Sequence, residues 1–416
     1  MTDGRLTHST GRATWWLPPA LLLTAAGLLL TPSRAWSGSQ DATVRQLRDD
    51  VNSTEAGVRR KALKQLAAMG PEALEPISLL VADPERGIRS DAILAVIGIY
   101  VEPPPKKRVG SAEEGFEWAE YRASPWPLPP ALVPNLVRDL SDDWPSIRRD
   151  AVYALGIVIP PPADRPLGDE LIYSLSDADG SVRLAAARAL GRLRVTWAGD
   201  LLIGRIVDPD LPVRLAAMRA LGEIREGRAI AALRDQIEFY RGGSAGRAAL
   251  EALARIAHPS TASLLAEAYL SKDERSRRYG YEGLARLGGV PEGDAVAFER
   301  VLTEERDPGV IGAMTFALAA AGRPYVDRIV AALANDDTAD QALGYLVELG
   351  HDHPELLLPH LQNGVPVVRE RVAMAVGFTG GPNAEAALTM LTRDGDPAVR
   401  RAAEIAIMRL RSLKRP

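Results

Sequence analysis

The stretch "DPDLPVRLAAMRALGEI" occupies residues 208–224, and 31 residues earlier the chain reads "DADGSVRLAAARALGRL" (177–193). Eleven of the seventeen letters coincide. Self-similarity at a short fixed period marks identical parts that must fit one another. Anchored on Arg214, the pattern recurs at Arg59, Arg89, Arg148, Arg183, Gly246, Arg277, Ile311, Ala339, Arg369 and Arg400, spaced 28–35 residues apart except for one gap of 59. Valine or isoleucine precedes most anchors, a small residue stands three places on, and a large aliphatic such as Leu155, Leu190 or Leu221 stands seven places on. The offsets −1, +3, +4 and +7 make one apolar stripe on a helix of 3.6 residues per turn. A second amphipathic segment precedes each copy, and an Asp/Pro/Gly turn between the two carries helix stop and start signals. The turn aspartate also suits an N-cap, where a carboxylate accepts unpaired backbone N–H groups. One such pair cannot bury its stripe alone, so neighbours must stack. Residues 37–416 are therefore predicted to be all-α, with about eleven helix pairs sharing a core.

The pattern D-x-x-x-x-[VI]-R-x-x-A resembles HEAT repeats, in particular the short type named after phycobilisome lyases, over essentially all of residues 41–411. Eight of the eleven anchors hold arginine. The resemblance implies a right-handed α-solenoid, a superhelix of HEAT-like helix pairs whose second helices line the concave surface. It also implies a structural ladder of turn aspartates and arginines along the stack, here Asp83 with Arg89, Asp177 with Arg183 and Asp208 with Arg214. A guanidinium fork suits a carboxylate in a half-buried seam. Gly246, Ile311 and Ala339 interrupt that ladder from the sixth repeat onward. In the last repeat Glu404 replaces an apolar residue, as a solenoid cap requires.

Residues 1–36 stand apart as a signal peptide or N-terminal membrane anchor. Arg5 and Arg12 precede sixteen uncharged residues, "WWLPPALLLTAAGLLL" (15–30), and small-x-small sites follow at Ser33–Ala35 and Ala35–Ser37. A basic start, a short apolar run and a small-residue exit read as a secretory signal. Sixteen residues is slightly short of the ~20 of a membrane span, yet an uncleaved anchor remains the alternative. Either places the rest outside the cytoplasm, in the periplasm or extracellular space. The whole chain carries a formal charge of −4. Without a basic excess, nucleic acid is not an expected partner. There is no cysteine, which excludes disulfides, thiolate metal sites and a cysteine nucleophile.

The gap of 59 contains "VEPPPKKRVGSAEEGFEWAEYRASPWPLPP" (101–130), whose prolines preclude a continuous helix across it. It reads as a long irregular insertion whose aromatics, Trp118, Tyr121 and Trp126 among them, either staple it to the solenoid or bind a partner. A smaller interruption, "IPPPADRPLG" (159–168), follows one repeat later. Offsets +5 and +9 from each anchor avoid the apolar stripe and point into the groove. They place Arg188, Arg192, Arg219, Glu223, Glu251, Arg255, Glu282 and Arg286 along its middle, with Tyr153, Ile157, Phe316, Met374 and Phe378 toward its ends. A mixed-charge strip flanked by apolar positions suits a protein or peptide partner. A solvated face with i,i+4 pairs such as Glu251–Arg255 and Glu282–Arg286 is the plainer reading.

Motifs for catalysis are absent: there is no P-loop, no dinucleotide fingerprint and no nucleophile elbow. His351, His353 and His360 cluster in "HDHPELLLPH", weak metal candidates that look like a turn and the far end of a helix. The expectation is a monomeric, cofactor-free, non-catalytic scaffold of the cell envelope or periplasm, binding its partner through the concave groove, the 101–130 loop or both. The rivals are an enzyme related to bilin lyases or metal-dependent hydroxylases, and a membrane-anchored structural envelope protein.

Overall fold

The computed structural model describes residues 45–101, 108–240, 242–289 and 295–413. The expected signal or anchor falls outside them. Among the described residues there is no β-strand beyond one isolated bridge, Val101 to Ala123, and no helix long and apolar enough to cross a membrane. The second helix of each pair runs in chain order as α1 (Ala56–Ala67), α2 (Arg86–Tyr100), α4 (Pro145–Val158), α5 (Gly180–Arg192), α6 (Leu211–Glu223), α7 (Ser244–Ile256), α8 (Glu274–Arg286), α9 (Pro308–Ala320), α10 (Asp336–Asp352), α11 (Pro366–Thr379) and α12 (Pro397–Leu413). One helix outside the pairs, α3 (Ala112–Arg122), belongs to the insertion. Each second helix packs on the next along the whole series. First helices, from Leu74–Leu80 to Ala384–Leu391, pack against the second helices of their own pairs.

The stripe read from the sequence is the core. Ile88, Ala92 and Val96 of α2 are fully buried, as are Val182, Ala186 and Leu190 of α5 and Val213, Ala217 and Leu221 of α6. Close approach of the helices depends on glycine eight places after the anchor. A Cβ on Gly222 would lie 2.9 Å from the Cα of Ala252, and one on Gly377 2.8 Å from the Cα of Ala406. The buried apolar groups form two long runs, Leu47 to Ile256 and Tyr281 to Leu410, joined by a small cluster of Leu250, Ala254, Leu265, Ala268 and Tyr279. The core thins there because α7 and α8 carry the charged Glu251 and Glu282 in buried positions.

The turn chemistry differs from the expected cap. The first aspartate of each turn does not cap the helix: Asp83, Asp177, Asp208 and Asp394 accept the backbone N–H two residues on, an Asx-turn. The cap is the residue two places later, as where Asp179 accepts from the Ser181 N–H at 2.8 Å. The first aspartate's carboxylate is thus free to face the preceding repeat. Arg183 holds Asp208 through two hydrogen bonds of 2.9 Å, Arg148 holds Asp177 at 2.7 Å, Arg59 holds Asp83 and Arg369 holds Asp394. Within its own repeat each arginine instead donates to the main-chain carbonyl of the turn aspartate, Arg183 to Asp177, Arg89 to Asp83 and Arg214 to Asp208. The ladder therefore joins one repeat to the next, and the Asp83–Arg89, Asp177–Arg183 and Asp208–Arg214 contacts are backbone bonds.

The ladder also reaches past the sixth repeat. Arg247, not Gly246, donates to the Gly242 carbonyl, Arg277 pairs with Glu305 in place of aspartate, and Arg369 restores the standard pair. Two further expectations change. Residues 165–168 are not part of a loop, because Asp164 caps a helix, Arg165–Tyr173, that starts there. His351 lies in the last turn of α10, and 354–362 forms two 3₁₀ turns rather than a helix.

Candidate binding groove on the inner face

The insertion is not irregular throughout. Its prolines flank α3, which opens on "SAEE" (111–114), a capping box. Ser111 Oγ accepts from the Glu114 N–H at 3.2 Å, and Glu114 reaches back to the Gly110 N–H at 3.0 Å. The buried face of α3 is built of the small residues Ala112, Gly115 and Ala119. Its base is pinched shut: Val101 bridges Ala123, and the Ser124 N–H donates to the Tyr100 carbonyl at 2.7 Å. Trp126 Nε1 donates to the Ile99 carbonyl at 3.2 Å, and Tyr100 Oη donates to that of Pro127 at 3.1 Å.

From that base α3 lies along the +5 and +9 positions of the second helices. Arg188 of α5 pairs with Glu113 at 2.8 Å and stands 3.8 Å from Glu117. Phe116 packs on Tyr153 of α4 with ring centroids 5.2 Å apart. Arg192 donates to the Gly156 carbonyl at 2.7 Å and to the Ala119 carbonyl at 3.1 Å. Toward its other end α3 meets repeats far along the chain. Tyr121 makes an edge contact with Phe378 of α11 at 5.6 Å, and its hydroxyl lies against Gly344 of α10. Arg122 stands 3.6 Å from Asp340. Arg409 of α12 donates to the Ala123 carbonyl at 2.6 Å while lying 3.8 Å over the Phe378 ring.

The electrostatics follow the helix dipole, which favours anions at the first turn and cations at the last. Glu113 and Glu114 occupy the first turn of α3, and two groove arginines, Arg192 and Arg409, meet carbonyls at its last. Burial pulls the Arg409 guanidinium down to about 10, and the like charge of Arg192 adds to this. Burial raises Tyr121 well above the usual phenol range, with Glu120 adding.

The remaining candidates form a polar strip. Arg219 approaches Glu251 at 3.4 Å, Arg255 the same carboxylate at 3.5 Å, and Tyr279 Oη donates to it at 3.2 Å. Arg286 is 3.7 Å from Glu282 and makes a two-bond pair with Glu348 of α10 at 2.8 Å. Tyr345 Oη donates to Glu282 at 2.7 Å. The expected i,i+4 pairs are thus present but belong to a wider network that joins separate repeats. Glu223 still meets solvent. Partial desolvation between the groove walls nevertheless pushes its carboxyl up to about 7, against the pull of Arg255 and with Glu120 adding. Trp118 and Trp126 are partly buried against the core. The aromatics expected either to staple the insertion or to bind a partner all have contacts within the chain. Sequence reasoning missed Tyr345, Glu348, Asp340 and Arg409. Arg409 lies nine places after Arg400, so the +9 rule applied to the last repeat finds it.

The histidines stay apart. His353 stands 3.4 Å from Glu355, and His360 stands 3.6 Å from Asp327. Among the described residues no group of three or more His, Asp or Glu side chains is placed to hold a metal ion.

Residues 168–238 match the family model for HEAT repeats. No curated protein matches the chain significantly in sequence. Solved structures that this chain resembles include the complex of CpcE and CpcF of phycocyanin lyase from Nostoc, at 19% identity, covering 67% of this chain and 94% of that one, with a TM-score of 0.39. Kap95p in its complex with RanGDP is 15% identical over 89% of this chain and 56% of that one, TM-score 0.38. Human deoxyhypusine hydroxylase is 20% identical over 67% of this chain and 96% of that one, TM-score 0.29.

Proposed function

We propose that this chain, a HEAT-repeat protein, is a non-catalytic scaffold that binds a protein or peptide partner along the inner faces of its second helices. One observation carries the reading: those faces already hold a peptide helix, α3, through Arg188, Arg192, Tyr153, Phe378 and Arg409. Affinity on such a surface comes from a few buried aromatic and arginine anchors among many weak contacts. The strip beyond α3 offers further anchors in Arg219, Glu223 and Arg255. Affinity purification with the intact protein tests this. Arg219→Ala with Glu223→Ala, which leaves Arg255 on the buried Glu251, is expected to weaken capture of the partner while circular dichroism stays unchanged; undiminished capture would move the binding surface elsewhere.

The basic start and apolar run of residues 1–36 support export, with the scaffold working as a monomer in the periplasm or outside the cell. Intact mass of the exported protein separates the two forms: loss of about 35 residues marks a cleaved signal, and the full mass marks an anchor.

A further inference from the structure

We infer that the inner face is a helix-binding groove in which α3 is a resident, exchangeable occupant, and that the external partner is an acidic–aromatic amphipathic helix that takes its place. The inference deepens the scaffold reading and rests on it.

Three features mark α3 as an occupant rather than a part of the stack. First, the stack is complete without it, because α2 packs directly on α4 beneath the insertion. Second, its attachment is pinched at the base. Val101 bridges Ala123, and Ser124, Trp126 and Pro127 are fixed to the end of α2, so α3 can leave without disturbing that base. Third, its fully buried side chains are small, and its aromatics Phe116, Trp118 and Tyr121 are only half-buried. The buried face is Ala112, Gly115 and Ala119, and the acidic side chains that meet Arg188 remain half exposed, Glu113 at 46% and Glu117 at 58%. Small buried side chains lose little on returning to water.

The contacts of α3 define what fits. Carboxylates four residues apart near the first turn meet Arg188. An aromatic ring between them rests on Tyr153, and another, five residues further on, meets Phe378. The last carbonyls meet Arg192 and Arg409, guanidinium groups that suit the negative end of a helix. None of these groove groups requires α3 to come from the same chain. Covalent attachment only raises its local concentration, to the millimolar range for a short tether.

The test uses a labelled peptide of residues 110–124 and two forms of the otherwise full chain, intact and with 102–122 replaced by a four-residue Gly/Ser turn across the Val101–Ala123 bridge. Fluorescence anisotropy is expected to show the peptide binding the shortened chain, and binding the intact chain at least about tenfold more weakly because α3 competes. Arg188→Glu should weaken the peptide about tenfold, and a peptide carrying Glu113→Arg and Glu117→Arg should recover it, as a charge pair requires. A folded shortened chain that ignores the peptide, or indifference to the charge of Arg188, overturns the inference. Should the shortened chain fail to fold, hydrogen exchange on the intact chain decides. Amides of α3 exchanging at least about a hundredfold faster than those of α4 support exchange of the occupant, and equal protection overturns it. The outcomes separate from those of the scaffold reading: a peptide that binds while the purified partner ignores groove substitutions leaves the groove intact and removes only the proposed function.

Discussion

Arg183 and Arg214 hold the same letter at the same point of adjacent repeats, yet their surroundings differ. Arg183 grips the buried carboxylate of Asp208 and also meets Asp210 at 2.9 Å. The repeat after Arg214 offers no such acid, and its Nε is buried without a partner. Removing Arg183 strands a buried charge, so Arg183→Ala should cost about 3 kcal/mol. Arg214→Ala forfeits backbone bonds alone and should cost about 1 kcal/mol. Chemical denaturation of both variants checks the order, and equal losses would contradict the ladder. The carboxylates respond to pH with a defined sign. Burial opposes ionisation of Asp177 and Asp208, but bonds from Arg148, Arg183 and the turn amides outweigh it and hold both below the usual range. Asp394 is lowered by Arg369. A depressed carboxylate contributes stability above its unfolded pKa of about 3.9 and loses it as pH falls through the folded value. These depressed carboxylates should make stability fall below about pH 4, less steeply in Asp394→Asn, whereas Glu223, raised to about 7, should add stability as pH drops from about 7 to 5. At this scale the sequence made the anchors legible but not their partners. The acid that answers Arg183 lies 25 residues on, in a repeat whose placement only stacking decides.

Helix ends and crossings supply the next set of consequences. Eleven places after the anchor the chain turns left-handed, with Gly322 and Gly380 in two repeats but Arg194 (φ 50°) and Arg225 (φ 54°) in two others. A side chain strains that conformation and glycine does not. Arg194→Gly should raise stability by about 0.5–1 kcal/mol, read as a higher melting temperature; no gain would mean that the side chain itself stabilises the turn. Gly222→Ala should act oppositely, forcing α6 and α7 apart at a cost of about 1–3 kcal/mol in denaturant unfolding. The second helices were legible because their stripe recurs with period 3.6 under a fixed anchor. α3 was hidden by its prolines, although "SAEE" announces its start. The 3₁₀ turns at 354–362 were hidden for the reverse reason: "PELLLPH" has a helix's apolar content, but Pro354 and Pro359 limit it to short turns.

Across the whole array the apolar core is uneven. The small cluster around Leu265 is the seam between the two long runs, where polar bonds from Tyr279 to Glu251 and from Tyr345 to Glu282 replace oil. In a repeat stack, stability is carried by each interface with its neighbour. Amides of α7 and α8 should therefore exchange faster than those of α5 and α6, and slower exchange there would make the polar seam the stronger join. The inner face was legible in part. Offsets +5 and +9 found Tyr153, Arg188, Arg192 and Phe378, all of which meet α3. That this face already holds a helix of the same chain was not legible, since Tyr121 and Phe378 are brought together only when seven pairs are stacked between them. The most direct measurement is photo-crosslinking of the native partner from a benzophenone amino acid at position 219 or 223 on the inner face, compared with position 173 on an outer helix. Partner adducts are expected from 219 and 223 and none from 173; adducts from 173 alone would contradict binding on the inner face.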